Sequence, residues 1–172
     1  LLWYSPDPRA IIPIHAYKPS KSLKPVINSG KFEIRINKDF KNVINNCGNP
    51  RTDEDGIWIS EQIIEAYYEF HKLGYAHSVE TYFENQLVGG LYGVAIGSVF
   101  FGEAMFYKMP NASKVAFHYL IEILKLQKFT LLDTQFINDN VKRFGAIEIP
   151  KDEYLKLLKK GIKLERSFVP GN

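Results

Sequence analysis

The stretch "NASKVAFHYLIEILKLQKFTLLDTQ" (Asn111–Gln135) decides how this chain of 172 residues is built. Val115, Tyr119, Leu120, Ile123 and Leu124 recur at helical spacing and form the inner face of a helix. The helix runs straight into Phe129–Leu132, a short apolar run that reads as a buried strand. Ahead of it stands another strand-like run, "SVFFGEAMF" (98–106). Strand, long helix, strand makes two parallel neighbours through a right-handed crossover. The second strand ends in Asp133 and Gln135, which share a face because side chains alternate along a strand. A carboxylate and an amide thus stand together where an apolar strand leaves the core.

Upstream, "SVETYFENQLVGGLYGVAIGSVFFGEAMF" (78–106) alternates, turns at Glu84-Asn85-Gln86 and turns again near Gly97-Ser98, which predicts an antiparallel meander. Before it, "ISEQIIEAYYEFHKLG" (59–74) predicts a helix with Ser60 as N-cap, an apolar stripe at Ile63, Ile64, Tyr67, Phe70 and Leu73, and a stop at Gly74. "KFEIRIN" (31–37) reads as a half-buried strand and "DFKNVINNC" (39–47) as a short helix. "DNVKRFG" (139–145) and "PKDEYLKLLKKG" (150–161) read as short helices. Residues 1–30 hold five of the nine prolines and are expected to be mostly extended or turned. The fold class is α+β, a mixed but mostly antiparallel sheet flanked by helices and splayed near its middle, on an acyltransferase-like plan.

The composition, 45% hydrophobic, 14% aromatic and 24% charged, describes a globular domain with a substantial core. No apolar run reaches the roughly 18 residues of a membrane span. A net charge of +3 permits an anionic partner without requiring one. Cys47 is the only cysteine, so intrachain disulfides and thiolate metal clusters are excluded. The opening "LLWYSPDPRA" lacks the pattern of a secretory signal, and a cytoplasmic location is expected.

Little else in the chain has catalytic spacing. His15, His71, His77 and His118 form no metal-ligand motif and are read as structural or exposed, so no metal is expected. There is no GxSxG nucleophile turn. The glycines of "GGLYGVAIG" (89–97) lie within strands and lack the Lys-Ser/Thr of a phosphate-binding loop. They serve either close backbone packing or room for a ligand. Glu103 interrupts Phe100, Phe101, Met105 and Phe106, where an unpaired carboxylate would cost several kcal/mol. It stands at an exposed strand end or binds a cationic group, and its place on the face of Phe101 and Met105 favours the second. Two carboxylates and an amide beside an apolar cavity suit a substrate with an ammonium group and an oily side chain.

Six blocks, "WYSPDPRAII" (3–12), "GIWISEQIIEAYYEFHKLGYAHSVE" (56–80), "LVGGLYGVAIGSVFFGEAMF" (87–106), "NASKVAF" (111–117), "LLDTQ" (131–135) and "GAIEIP" (145–150), occur in one order over nearly the whole chain. Together they resemble the bacterial leucyl/phenylalanyl-tRNA–protein transferases. The resemblance implies a GNAT-like acyltransferase domain over residues 13–172, with residues 1–12 as the remnant of a small N-terminal domain. It implies no cofactor. It implies transfer of Leu or Phe, with some Met, from aminoacyl-tRNA to proteins with N-terminal Arg or Lys, marking them for N-end rule degradation. A monomer is expected. The alternatives are leucyl transfer to N-terminal Asp or Glu, and a non-catalytic GNAT-like binding module.

Carried over by position, the resemblance places the catalytic pair at Asp133 and Gln135 and a substrate-binding glutamate at Glu103. Trp58 falls near the terminal adenosine and Asn138 just after the catalytic strand. The aminoacyl pocket falls on Leu91, Phe100, Gly102, Met105, Phe117, Leu120, Leu124 and Leu132. The chain departs from the family pattern at Thr134 (usually Cys), at Ala104 (usually Ser) and at Arg143-Phe144. The basic helix expected to contact tRNA aligns with "KSLKPVINSG" (21–30), where Lys18, Lys21 and Lys24 are the cations at hand.

Overall fold

A computed structural model describes residues 6–48, 61–135 and 139–170, the side chain of Gln135 excepted. In chain order the elements are β1 (Arg9–Ile11), a 3-10 turn (Ile14–Ala16), α1 (Leu23–Asn28), β2 (Glu33–Ile36), α2 (Phe40–Gly48), α3 (Glu61–Lys72), β3 (Ala76–Phe83), β4 (Gln86–Ile96), β5 (Val99–Tyr107), α4 (Ala112–Leu126), β6 (Leu131–Gln135), α5 (Asp139–Arg143), β7 (Ile147–Ile149) and α6 (Lys151–Ile162). The strands form a seven-stranded sheet ordered β2-β3-β4-β5-β6-β1-β7. β5 and β6 pair in parallel through Val99–Leu131, Phe100–Leu132 and Phe101–Asp133, as the helical crossover requires. β2 with β3, β3 with β4, β1 with β6 and β1 with β7 pair antiparallel. The α+β class with a mixed, mostly antiparallel sheet is therefore the observed one.

The chain divides into two compact units. The first comprises residues 1–19, 95–102 and 121–172, and its core packs Ile11, Val99, Leu131, Ile149 and Tyr154, with Phe101 and Leu158 half-buried against them. Its tightest point is the turn between β4 and β5. Gly97 has φ +58°, and a Cβ there would lie 2.5 Å from the Ile162 carbonyl oxygen, so only glycine lets α6 close on the turn. Ser98 then donates its N–H and its hydroxyl to the Gly161 carbonyl at 3.0 and 2.8 Å.

The second unit comprises residues 20–94 and 103–120. One of its cores joins Phe40, Val43 and Ile44 of α2 to Ala76, Tyr92 and Phe106. Another joins Leu23, Phe32, Val88, Ala112 and Val115. The hairpin from β3 to β4 turns at Glu84 and Asn85, both at positive φ, as a two-residue turn matched to strand twist requires. A Cβ on Gly89 would meet the Ala112 Cβ at 2.6 Å, so that glycine serves backbone packing under α4.

The described part of residues 1–30 is mostly extended or turned, as expected, with one short helix at Leu23–Asn28; Pro25 is tolerated there because it occupies the first turn, where its missing N–H has no intrahelical acceptor to serve. One expectation is corrected: the stripe on α3 is rotated. Ile64, Tyr67 and Tyr68 pack on the core, whereas Phe70 and Leu73 are exposed. Aromatic bulk at adjacent positions 67 and 68 shifts the buried face. Gly74 ends the helix as expected, with Tyr75 N–H donating to the Phe70 carbonyl at 2.9 Å.

Candidate active site

β6 carries Leu131 and Asp133 on the face that meets α6, and Leu132 on the other, so the strand keeps strict alternation. Asp133 is fully buried. Arg9 grips it with both ends of its fork: Nε–H donates to Oδ1 at 3.1 Å and Nη2–H to Oδ2 at 2.6 Å. The Tyr154 hydroxyl donates to Oδ2 at 2.6 Å. The Arg9 guanidinium also lies 4.6 Å from the centre of the Tyr154 ring. Two segments, one 124 positions away in sequence and the other 21, thus close on one carboxylate.

The backbone explains how. β1 pairs with β6 through Ala10–Gln135 and Ile11–Asp133, with a register irregularity between Ala10 and Ile11. On its other side β1 pairs with β7, Arg9 opposite Ile149, and β7 leads directly into α6. The strand that presents Arg9 is therefore held between the strand of Asp133 and the one that introduces Tyr154. A carboxylate buried alone would cost several kcal/mol, and a bidentate guanidinium plus a phenol offsets most of that. Burial first, and then the hydrogen bond to Asp133, push the Tyr154 phenol well above its ordinary pKa. It stays a donor across the physiological range.

Thr134 points the other way from Asp133 and donates its hydroxyl to the Ala10 carbonyl at 3.1 Å, a further tie between β6 and β1. The Gln135 backbone pairs with Ala10. Its side chain lies outside the described residues, as do Trp58 and Asn138. Of the pocket residues in the first unit, Phe100, Leu124 and Leu132 are at most 1% exposed and Gly102 is half-buried.

In the second unit Leu91, Phe117 and Leu120 are buried, and Met105 and Glu103 are half-buried. The Glu103 carboxylate has Tyr67 of α3 as a partner. The Tyr67 phenol is raised well above its ordinary pKa by burial and then by the charge and hydrogen bonding of Glu103. Tyr92 packs edge-on to Tyr67 at 5.4 Å between ring centres. The Tyr67 phenol is thus one partner of Glu103, and the Tyr92 ring packs on Tyr67 in turn.

Another buried carboxylate, Glu80, is structural. It accepts from the Ser78 hydroxyl at 2.6 Å, the Asp39 N–H at 2.9 Å and the Tyr82 hydroxyl at 3.1 Å, anchoring the start of α2. His71 and His77 hydrogen-bond within the second unit, to the Ala76 carbonyl and to Asn37. Among the described residues no three His, Cys, Asp or Glu side chains could hold a metal ion. Lys18, Lys21 and Lys24 are exposed. Sequence reasoning missed Arg9, Tyr154 and Tyr67. Arg9 stood inside a recognised block, but nothing local linked it to a carboxylate 124 positions away.

Residues 11–159 match the family described as leucyl/phenylalanyl-tRNA protein transferase. The chain is 46% identical over 167 residues to the leucyl/phenylalanyl-tRNA–protein transferase of Prosthecochloris aestuarii, covering 97% of this chain and 86% of that protein. The proteins of that name from Chlorobaculum tepidum and Rhodopseudomonas palustris are each 44% identical, covering 97% and 98% of this chain and 86% and 75% of theirs. Among solved structures, L-PGS from Bacillus licheniformis superposes with a TM-score of 0.55 at 13% identity, over 91% of this chain and 65% of that one. At that identity the likeness is one of fold.

Proposed function

The chain belongs to the leucyl/phenylalanyl-tRNA protein transferase family, and from that premise we propose that it moves Leu or Phe from aminoacyl-tRNA to the N-terminus of acceptor proteins. It is an aminoacyltransferase. Acceptors beginning with Arg or Lys, some use of Met, marking for N-end rule degradation, a cytoplasmic setting, action as a monomer and a GNAT-like sheet complete the reading. No helix among the described residues is long and apolar enough to cross a membrane.

The ester between amino acid and tRNA is already activated. The acceptor's α-amine, once deprotonated, attacks the ester carbonyl, the tetrahedral intermediate expels the tRNA 3′ or 2′ oxygen, and the amine's second proton leaves to that oxygen or to water. Holding the two reactants together can lower the barrier by roughly 7–11 kcal/mol. The observation that carries the assignment is the Asp133 carboxylate, buried and bound by Arg9 and Tyr154 two residues before Gln135. So engaged, Asp133 fixes the backbone of β6 that leads to Gln135. The Gln135 carbonyl accepts a hydrogen bond from the attacking amine and favours the positive charge that develops there. Glu103, with Tyr67 beside it, receives the acceptor's cationic side chain. Leu91, Phe100, Met105, Phe117, Leu120, Leu124 and Leu132 supply the apolar surroundings of the aminoacyl group. Such surroundings exclude charged side chains but separate aliphatic ones by only about 1–3 kcal/mol.

The test offers labelled Phe-tRNA and peptides beginning with Arg or Glu to the full chain. Label on the Arg peptide is the expected outcome. Label on the Glu peptide alone would assign Glu103 wrongly, and label on neither would end the transferase reading.

A further inference from the structure

The family reading needs a surface for tRNA, and α1 offers little. Its one cation is Lys24, and Pro25 follows. Charge is distributed unevenly between the two units. The first carries 12 Lys and Arg against 8 Asp and Glu, the second 10 against 11. The basic excess therefore lies in the first unit, and the buried Arg9–Asp133 pair leaves that excess unchanged.

Two concavities of the first unit adjoin the 3-10 turn Ile14–Ala16 and share Pro13 and Ala16 in their walls. One, of about 220 Å³, is lined also by Tyr17, Lys18, Arg143 and Phe144. The other, of about 590 Å³, is lined also by His15, Lys125, Lys128 and Phe129. Lys18, Lys128, Arg143 and His15 are exposed. Of the four Lys and Arg lining these walls, only Lys125 has a carboxylate within ion-pair distance among the described residues, Glu122 at 3.9 Å. Uncommitted cations along the walls of a concavity suit a polyanionic ligand such as a phosphate backbone. They do not suit the other substrate, whose reacting N-terminus is itself cationic.

We propose that this two-part groove around residues 13–16 seats the sugar-phosphate backbone of the tRNA acceptor arm, with Lys18 and Arg143 contacting phosphate in one part and Lys125 and Lys128 in the other. The proposal rests on the transferase reading. It moves the tRNA footprint from α1 to the first unit, and it gives a role to Arg143-Phe144, where this chain departs from its family's pattern.

Lys128→Ala and Arg143→Ala, singly and together, replace exposed side chains and leave the cores intact. The double variant is expected to raise KM for Phe-tRNA about tenfold with kcat within twofold. It should also flatten the dependence of log Kd on log salt by roughly one to two units, close to one for each phosphate no longer held. Transfer from 3′-phenylalanyl adenosine, which lacks the backbone, should be unchanged, and Lys114→Ala, in the second unit, should alter none of these values. An unchanged KM and salt slope would overturn the groove, as would a rise in KM for the acceptor protein instead. Binding of uncharged tRNA, measured separately, decides the groove independently of transfer. A wild-type chain that binds tRNA with Lys128- and Arg143-dependent affinity but transfers nothing would retain the groove and overturn the transferase reading alone.

Discussion

Tyr154 and Asp133 meet at 2.6 Å, phenol to carboxylate, inside a core otherwise made of Ile11, Val99, Leu131 and Ile149. That hydrogen bond joins α6 to β6, so removing it tests whether Asp133 acts through its position. Tyr154→Phe keeps the ring and its contact with Arg9 and loses one donor. We expect a stability loss of about 1–3 kcal/mol and a fall in kcat with KM for both substrates nearly unchanged. Chemical denaturation gives the first, and steady-state transfer the second. A variant destabilised to that extent yet equally active would make the bond purely structural.

Arg9 tests the charge. Arg9→Ala leaves a carboxylate buried without its cation, and we expect about 3–5 kcal/mol of destabilisation. Arg9→Lys restores the charge but not the two-pronged geometry and should recover stability only in part. The double variant Arg9→Met with Asp133→Leu, which removes both charges, should unfold at a higher denaturant concentration than Arg9→Ala while losing transfer. Urea titration of the set separates these outcomes.

Asp133→Asn preserves shape and the hydrogen bond from Tyr154 while discarding the charge that Arg9 balances. The fold should persist by circular dichroism, with transfer from Phe-tRNA falling well over tenfold. Activity within twofold of the parent would remove Asp133 from the mechanism.

Glu103→Gln keeps the acceptor for Tyr67 and loses the charge proposed to meet the substrate's cation. KM for a peptide beginning with Arg should rise by about tenfold, with KM for Phe-tRNA unaltered. Equal effects on both would point to a packing role.

The pH dependence of stability has a specific source in His77. Burial, opposed in part by a hydrogen bond to the Gly74 backbone, lowers its pKa to about 4. The Asn37 carbonyl oxygen accepts from the Ser78 N–H, so the Asn37 amide N–H must donate to Nδ1 at 2.9 Å, a nitrogen that therefore has to be unprotonated. The unfolded chain binds a proton at this ring near pH 6.5 and the folded chain does not until near 4. The contribution is thus complete above 6.5 and is lost as pH falls toward 4, to a total of roughly 3 kcal/mol. Urea unfolding of the parent at pH 7 and 5 should show part of that loss, and His77→Gln should show less of it.

The order of elements was legible because each has a local cause. Helical spacing from Val115 to Leu124 gave α4, alternation gave β2 and β3, and the Glu84-Asn85 turn gave the hairpin. The parallel pairing of β5 with β6 followed from the helix between them. What was not legible came from contacts with no local signature. The buried side of α3 depends on what Tyr67 and Tyr68 meet across the unit, and periodicity ranks Phe70 as highly as either. The candidate site divides in the same way. Asp133 and Glu103 announced themselves as carboxylates among apolar neighbours. The residues that answer them, Arg9, Tyr154 and Tyr67, look from the sequence like a strand-edge cation and two core aromatics.

β1 has a consequence for how this protein is made. It is made about 120 to 140 residues ahead of both its partners, β6 (Leu131–Gln135) and β7 (Ile147–Ile149). At about 5–20 residues per second the strand waits roughly six to thirty seconds before it has an edge to join. Arg9 has no Asp133 to bind in that interval, and an interrupted nascent chain that ends before Tyr154 holds β6 without one of the side chains bound to Asp133. These contacts on Asp133 should therefore be complete only once Tyr154 has been made.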